Sequence, residues 1–230
     1  CFYDNENYRI IGNRKEAEEP DVREDARILV ELFTGTWCPN CPYVESALSR
    51  LKQEMGDKFY YLEYHFQDSF KTNHMDLLNY YKLPQSLPVS IIQGDTKIAT
   101  GNQNSYSEYK YALEQKLNKE ASVWFENFIY TVDNNSITFE LDIKKEMTIN
   151  STFELRWALV DKETTVKNKA GDNCQNVVIT KGSVNLTEES FTNGLTAVID
   201  LPNYTFSKPS VTVWVQNVEL PYNSETSVVY

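Results

Sequence analysis

The chain has 230 residues, 41% of them hydrophobic, a length comfortable for two domains that each bury a core. Its formal net charge is -11, with 22 Lys and Arg against 33 Asp and Glu, and a surface mostly of that sign repels phosphates, which argues against a nucleic-acid partner. No apolar run approaches the roughly 18 residues that a membrane-spanning helix requires.

Residues 1–27 are mostly polar and charged (NRKEAEEPDVRED) around one apolar patch at Tyr8 to Ile11, and read as an extension that docks weakly or hangs free. From Arg27 the pattern changes. RILVELF is a β-rich run, and VESALSRLKQEM then places Val44, Ala47, Leu48 and Leu51 at helical spacing. KFYYLEYHF predicts a second strand over 58–66, and HMDLLNYYKL a short helix over 74–83 that stops before Pro84. PVSII and TKIAT, joined through Gly94 and Asp95, predict a tight hairpin. Ser105 to Glu120 carries Tyr106, Tyr109, Leu113 and Leu117 on one face, with Ser105 and Glu108 spaced as a capping box. The order is β, α, β, α, β, β, α.

After Ala121 helical spacing gives way to short alternating segments: VWFENFIYTV, SITFELDI, FELRWALV, NVVITKG, SVNLT, LTAVIDL, VTVWVQN and SVVY. Seven or eight strands without a long helix favour an all-β sandwich of immunoglobulin-like type. The expected organisation is an extension over 1–27, an α/β domain over 28–120 and a β-sandwich over 121–230.

The chemistry concentrates in Trp37, Cys38, Pro39, Asn40, Cys41 and Pro42. A Cys-x-x-Cys pair where a strand meets a helix puts the first sulfur at the helix N-terminus, where unpaired N–H groups and the helix dipole favour a thiolate. Cys38 is the expected nucleophile. Cys41, one turn into the helix, is the expected resolving thiol, placed to attack a mixed disulfide on Cys38 and release the partner. Trp37 and Pro39 flank the sulfur and contribute to partner fit. Two other readings of the pair stand: half of a zinc site, for which His65, His74, Cys1 and Cys174 form no second close pair, and a redox site kept only for binding. No metal, cofactor, phosphate loop or nucleophilic serine is expected.

Residues 28 to about 119 resemble the thioredoxin-like superfamily, through the strand, WCPNCP, the helix, the proline of LPVSII and the Gly94 hairpin. The resemblance implies a thioredoxin-like α/β domain, a cis peptide before Pro88, and substrate binding at Leu87 and Pro88, where the backbone of Leu87 is free to pair with an incoming peptide strand. It also implies a buried acid six residues before the nucleophile, and that position here is Leu32. Glu31 is adjacent, but strand alternation points it to the other face. It is retained as a candidate proton acceptor beside the alternative that water takes the proton.

The string LFTGTWCPNCP, followed by a β-rich half, also resembles a family of bacterial outer-membrane thioredoxin-like lipoproteins, mainly through FTG-x-WC-x-NCP. That resemblance implies an extracytoplasmic protein, in the periplasm or at the cell surface, tethered to a membrane through lipid on Cys1. The other reading of Cys1 is a disulfide to Cys174. The function expected is thiol-disulfide exchange with protein or peptide thiols and disulfides, served by a separate redox-recycling partner. The competing expectation is a surface module that binds protein on a thioredoxin scaffold without turnover.

Overall fold

The computed structural model describes residues 3–4, 9–10, 27–70, 72, 74–117, 123–133, 135–145, 152–218 and 227–229. In chain order its elements are β1 (Tyr3–Asp4), β2 (Arg9–Ile10), β3 (Ile28–Thr34), α1 (Cys41–Met55), a 3-10 turn (Gly56–Lys58), β4 (Phe59–His65), α2 (Met75–Tyr80), β5 (Val89–Ile92), β6 (Thr96–Ile98) and α3 (Ser105–Glu114). There follow β7 (Val123–Val132), β8 (Ser136–Lys145), β9 (Phe153–Lys167), β10 (Asn173–Leu186), α4 (Glu188–Asn193), β11 (Leu195–Asp200), β12 (Pro209–Asn217) and β13 (Ser227–Val229). From β3 to α3 the order is the one read from the sequence.

Every residue of β3 is buried, because layers cover both of its faces. Ile28, Val30 and Leu32 meet Val44, Leu48 and Leu51 of α1 and Tyr109 and Leu113 of α3. Leu29 and Phe33 point the other way, toward Leu62 and Tyr64 of β4 and Leu77 and Leu78 of α2. Strand periodicity of two thus divides the chemistry of β3 between two faces. Helix α1 follows from good helix formers with a buried stripe and closes at Gly56, whose φ of 59° lets its N–H reach the Lys52 carbonyl.

The β-rich half divides between two sheets. β11, β8 and β7 form a three-stranded antiparallel sheet, while β13, β12, β9 and β10 continue the sheet of the α/β half in the order β13-β12-β9-β10-β4-β3-β5-β6. The join is a short parallel contact of β10 with β4, Val177 opposite Glu63. One apolar layer, including Phe139, Leu141, Leu155, Val213 and Val215, lies between the two sheets of this half. A second crosses the join, with Ala158, Val160, Val178 and Trp214 packed in the same cluster as Phe33 and Tyr64. Alternation along a strand says which side is apolar and nothing about which strand lies beside it, so this shared sheet has no counterpart in the strand pattern.

Two local expectations are corrected. The segments NVVITKG and SVNLT are one strand, β10, because Gly182 is a close-approach glycine and not a turn: a Cβ there would stand 2.4 Å from Cζ2 of Trp157, its cross-strand neighbour on β9. Ser105 and Glu108 form no capping box. Asn104 is the N-cap without a side-chain cap bond, Ser105 Oγ accepts the Asn102 N–H, and Glu108 accepts the Thr100 hydroxyl. The capping box is instead at Thr187 and Ser190, opening α4.

Candidate functional site at the Cys38–Cys41 disulfide

β3 delivers the chain to a tight turn closed by the Cys38 N–H on the Gly35 carbonyl at 3.0 Å. Two further bonds hold this loop to the segment after β4: the Thr36 N–H donates to Asp68 Oδ2 at 3.1 Å, and the Trp37 indole N–H to the Phe66 carbonyl at 3.0 Å. Gly35 makes room for the indole, since a Cβ there would lie 3.0 Å from its Nε1. Trp37 remains 50% exposed, an apolar plate beside the motif.

Cys38 and Cys41 form a disulfide with Cα atoms 5.5 Å apart. Asn40 is the N-cap of α1 with no side-chain cap bond, and the first turn carries no acidic residue. The first turn thus carries no charge that offsets the positive end of the helix dipole beside Cys38, and that end favours a thiolate on reduction. The oxidised sulfurs lie below the surface, Cys38 being 1% and Cys41 0% exposed. Trp37, Pro39 and Asn40 form the exposed rim.

Pro88 is brought to the motif from the far end of a loop. The Leu87–Pro88 peptide is cis, Leu87 is half-buried against the apolar cluster of α2, and β5 starts at the next residue. A residue that sequence reasoning missed locks this arrangement: a Cβ on Gly101 would stand 2.5 Å from both the Asn40 carbonyl oxygen and Cγ of Pro88. Gly101 thus lets two segments some fifty residues apart converge on the dithiol. Its only signal was a glycine after a short strand, which is common to many turns.

Beneath the motif, on the α1 face of the sheet, lies a buried polar cluster that was also missed. Glu45, one turn beyond Cys41 and 7% exposed, accepts the Thr34 hydroxyl at 2.5 Å and an amide N–H of Asn168 at 2.7 Å. Glu63 on β4 is 1% exposed, and its Oε2 accepts the Gln175 backbone N–H at 3.3 Å. His65 contacts Glu63 at 3.4 Å and Asp68 at 2.6 Å. Burial, with the Glu45 charge adding to it, pushes the Glu63 carboxyl up to about 7 against the pull of His65. His65 loses by burial but gains more from Asp68 and Glu63, and is raised to about 9. Glu63 and His65 were readable only as two polar positions in an aromatic strand.

Glu31 is also buried, at 1%, but on the opposite face, where the hydroxyls of Tyr64 and Tyr81 both donate to it. Burial raises its carboxyl above the ordinary range, opposed by Tyr81 and by the Arg156 charge. The sheet separates it from α1, so the suggested proton acceptor does not face the dithiol. Cys174 is a free, buried thiol on β10. Cys1 itself lies outside the described residues. His74 packs edge-on against Tyr64, with ring centroids 5.0 Å apart, and burial lowers it to about 4. His65 and His74 thus serve separate clusters. Among the described residues no helix is long and apolar enough to cross a membrane.

No family model matches the chain, and no curated protein does. Among solved structures it resembles HBP35 of Porphyromonas gingivalis, with a TM-score of 0.62 at 13% identity over 89% of this chain and 73% of that one. It also resembles protein AGR_C_4864 from Agrobacterium tumefaciens, with a TM-score of 0.52 at 17% identity over 79% of this chain and 80% of that one. At these identities the likeness is one of fold: a mixed α/β architecture with large sheets and few helices.

Proposed function

We propose that this protein is a thiol-disulfide oxidoreductase built on a thioredoxin-like unit, acting on protein or peptide disulfides. The observation that carries the reading is a Cys-x-x-Cys disulfide at a helix N-terminus whose first turn carries no acid, with Pro88 held against Asn40 across Gly101. An inert structural disulfide needs neither feature.

In the reduced protein the Cys38 thiolate attacks one sulfur of a partner disulfide. A Cys38–partner bond forms, and the other partner sulfur leaves with the electron pair and takes a proton from water. Cys41 then attacks the Cys38 sulfur, giving back the Cys38–Cys41 disulfide and releasing the second partner thiol. The partner is reduced and the dithiol oxidised, two electrons each, and the reverse sequence oxidises a partner. Trp37 with Leu87 and Pro88 forms the surface on which the partner strand lies. The resemblance of FTG-x-WC-x-NCP to the lipoprotein family supports an extracytoplasmic setting, with a separate protein recycling the dithiol.

The test is trapping. Reduced protein should show unequal alkylation rates, Cys38 reacting first at neutral pH, and Cys41→Ser should accumulate a mixed disulfide through Cys38 with a disulfide-bonded protein such as insulin. Cys38 inert to alkylation in the reduced, folded protein would overturn the reading and leave a binding module on a thioredoxin scaffold.

A further inference from the structure

The β-rich half enters the dithiol site at two points, and one of them is the side chain of Asn168. Asn168 sits in the turn between β9 and β10. Its Oδ1 accepts the N–H groups of Ala170 and Asp172 at 2.9 and 3.0 Å, while its own N–H donates to the Asp172 carbonyl at 2.8 Å. This organised turn leaves the Asn168 Nδ2 group aimed away from it, and that group donates to Glu45 Oε2 at 2.7 Å, a buried bond across 123 positions of sequence. The second point is the Gln175 backbone N–H on Glu63.

Glu45 is four residues beyond Cys41, so the two share a helix face about 5–6 Å apart. A helical side chain leans toward the N-terminus, as the contact of Glu45 with Thr34 requires. We propose that the β9–β10 turn is a working part of the dithiol site, with Asn168 as a positioning residue that holds Glu45 beneath Cys41, where the Glu45–Glu63 carboxylates take the thiol proton as Cys41 resolves. The proposal rests on the oxidoreductase reading and assigns a task within it to the second half of the chain.

The step balances. The Cys41 S–H bond breaks and its proton passes to a carboxylate oxygen of the buried pair. The Cys41–Cys38 bond forms, and the Cys38–partner bond breaks with its electron pair on the partner sulfur, which takes a proton from water. When an external thiol reopens the disulfide, the proton returns to Cys41. Leu32 and Glu31 offer no acceptor on this face, whereas Glu45 and Glu63 do. The charged and titratable groups around the pair are His65 of β4, Asp68 beyond it, Tyr61 of β4, and Cys174 and Lys167 from the β9–β10 side.

Asn168→Asp keeps the Oδ1 acceptor that organises the turn but removes the donor and faces Glu45 with a like charge. The measurement is the rate at which Cys41 releases glutathione from a Cys38–glutathione adduct, from pH 5 to 9, in the full chain, with melting temperature as a check on folding. The wild-type rate should show an inflection near 7. Asn168→Asp should move that inflection upward by about one unit and slow release at pH 7 about fivefold. Glu45→Gln should slow release at least as much and flatten the profile. A fully folded Asn168→Asp protein with the wild-type profile would overturn the proposal. If the wild-type adduct releases glutathione but Glu45→Gln leaves the profile unchanged, the carboxylate pair is not the acceptor. If wild-type Cys38 forms no adduct, the oxidoreductase reading fails first, and this inference with it.

Discussion

Leu32 and Glu63 stand side by side in the parallel ladder of β3 and β4. Directly paired positions share a face, so an apolar residue on one strand has a buried acid beside it on the next, under α1. The acid is raised to about 7 from an ordinary value of 4.5. Between those values the native state keeps a proton that the unfolded chain has lost, so stability falls as pH rises through that window. His65, raised from 6.5 to about 9, is stabilising in its charged form below that window and loses that contribution as pH rises through it. Denaturant unfolding should therefore show stability declining from about pH 5 to pH 9. Glu63→Gln should remove the lower part of the decline, on the order of 2 kcal/mol, and keep the upper part through Asp68. An unchanged slope between pH 5 and 7 in that variant would contradict the assignment.

Gly101→Ala should disturb the dithiol specifically. The added methyl meets a backbone oxygen and a proline ring at 2.5 Å, and neither yields as the tip of a flexible side chain would. A cost of about 1–3 kcal/mol is expected, together with altered exchange of Cys38 with glutathione. Gly56→Ala is the control, because its φ is +59° but nothing lies within 4 Å of the new Cβ. It should cost about 1 kcal/mol and leave exchange untouched. Equal effects of the two on exchange would remove Gly101 from the site.

What could be read in advance was what neighbouring residues decide among themselves. The Cys-x-x-Cys pair, the helical stripe of Val44, Ala47, Leu48 and Leu51, the hairpin at Gly94 and the placement of Pro88 before β5 all depend on short-range spacing. What could not be read depends on distant partners. Glu45 is a surface-like residue by sequence and is buried only because Thr34 and Asn168 supply its donors. Gly182 looks like a turn until Trp157 is laid over it, and the shared sheet exists through a contact of Val177 with Glu63. The one register argument that was available, that Glu31 faces away from Leu32, held because it was again local.

The Glu31 cluster yields a prediction of the opposite kind. Tyr81→Phe removes a hydroxyl that donates to a buried carboxylate, leaving it one donor short at a cost of about 1–3 kcal/mol. Because the sheet lies between this cluster and α1, the equilibrium of the dithiol with glutathione should stay at its wild-type value. A shift as large as that from Glu45→Gln would mean that the two faces are coupled and that the separation argued from strand alternation is inadequate.

Cys174 should behave as the least reactive described cysteine of the reduced protein. Its thiol is 1% exposed and is lifted well above the ordinary range, first by burial and then by Glu63, Glu45 and Asp68, with only Lys167 acting against them. The thiolate is the reactive species, and each of these groups disfavours it. Access is closed as well, so alkylation must wait for β10 to separate from its neighbours. Mass-mapped labelling with iodoacetamide at pH 7.5 should thus modify Cys38 in minutes, while Cys174 is labelled only at the rate of opening or on addition of denaturant. Cys174→Ala should leave exchange at Cys38 intact, since no disulfide joins Cys174 to the pair. Labelling of Cys174 at a rate comparable to Cys38 in folded protein would show that the β10–β4 join opens readily, and the buried carboxylates beside it would then be wet and unable to hold the proton assigned to them.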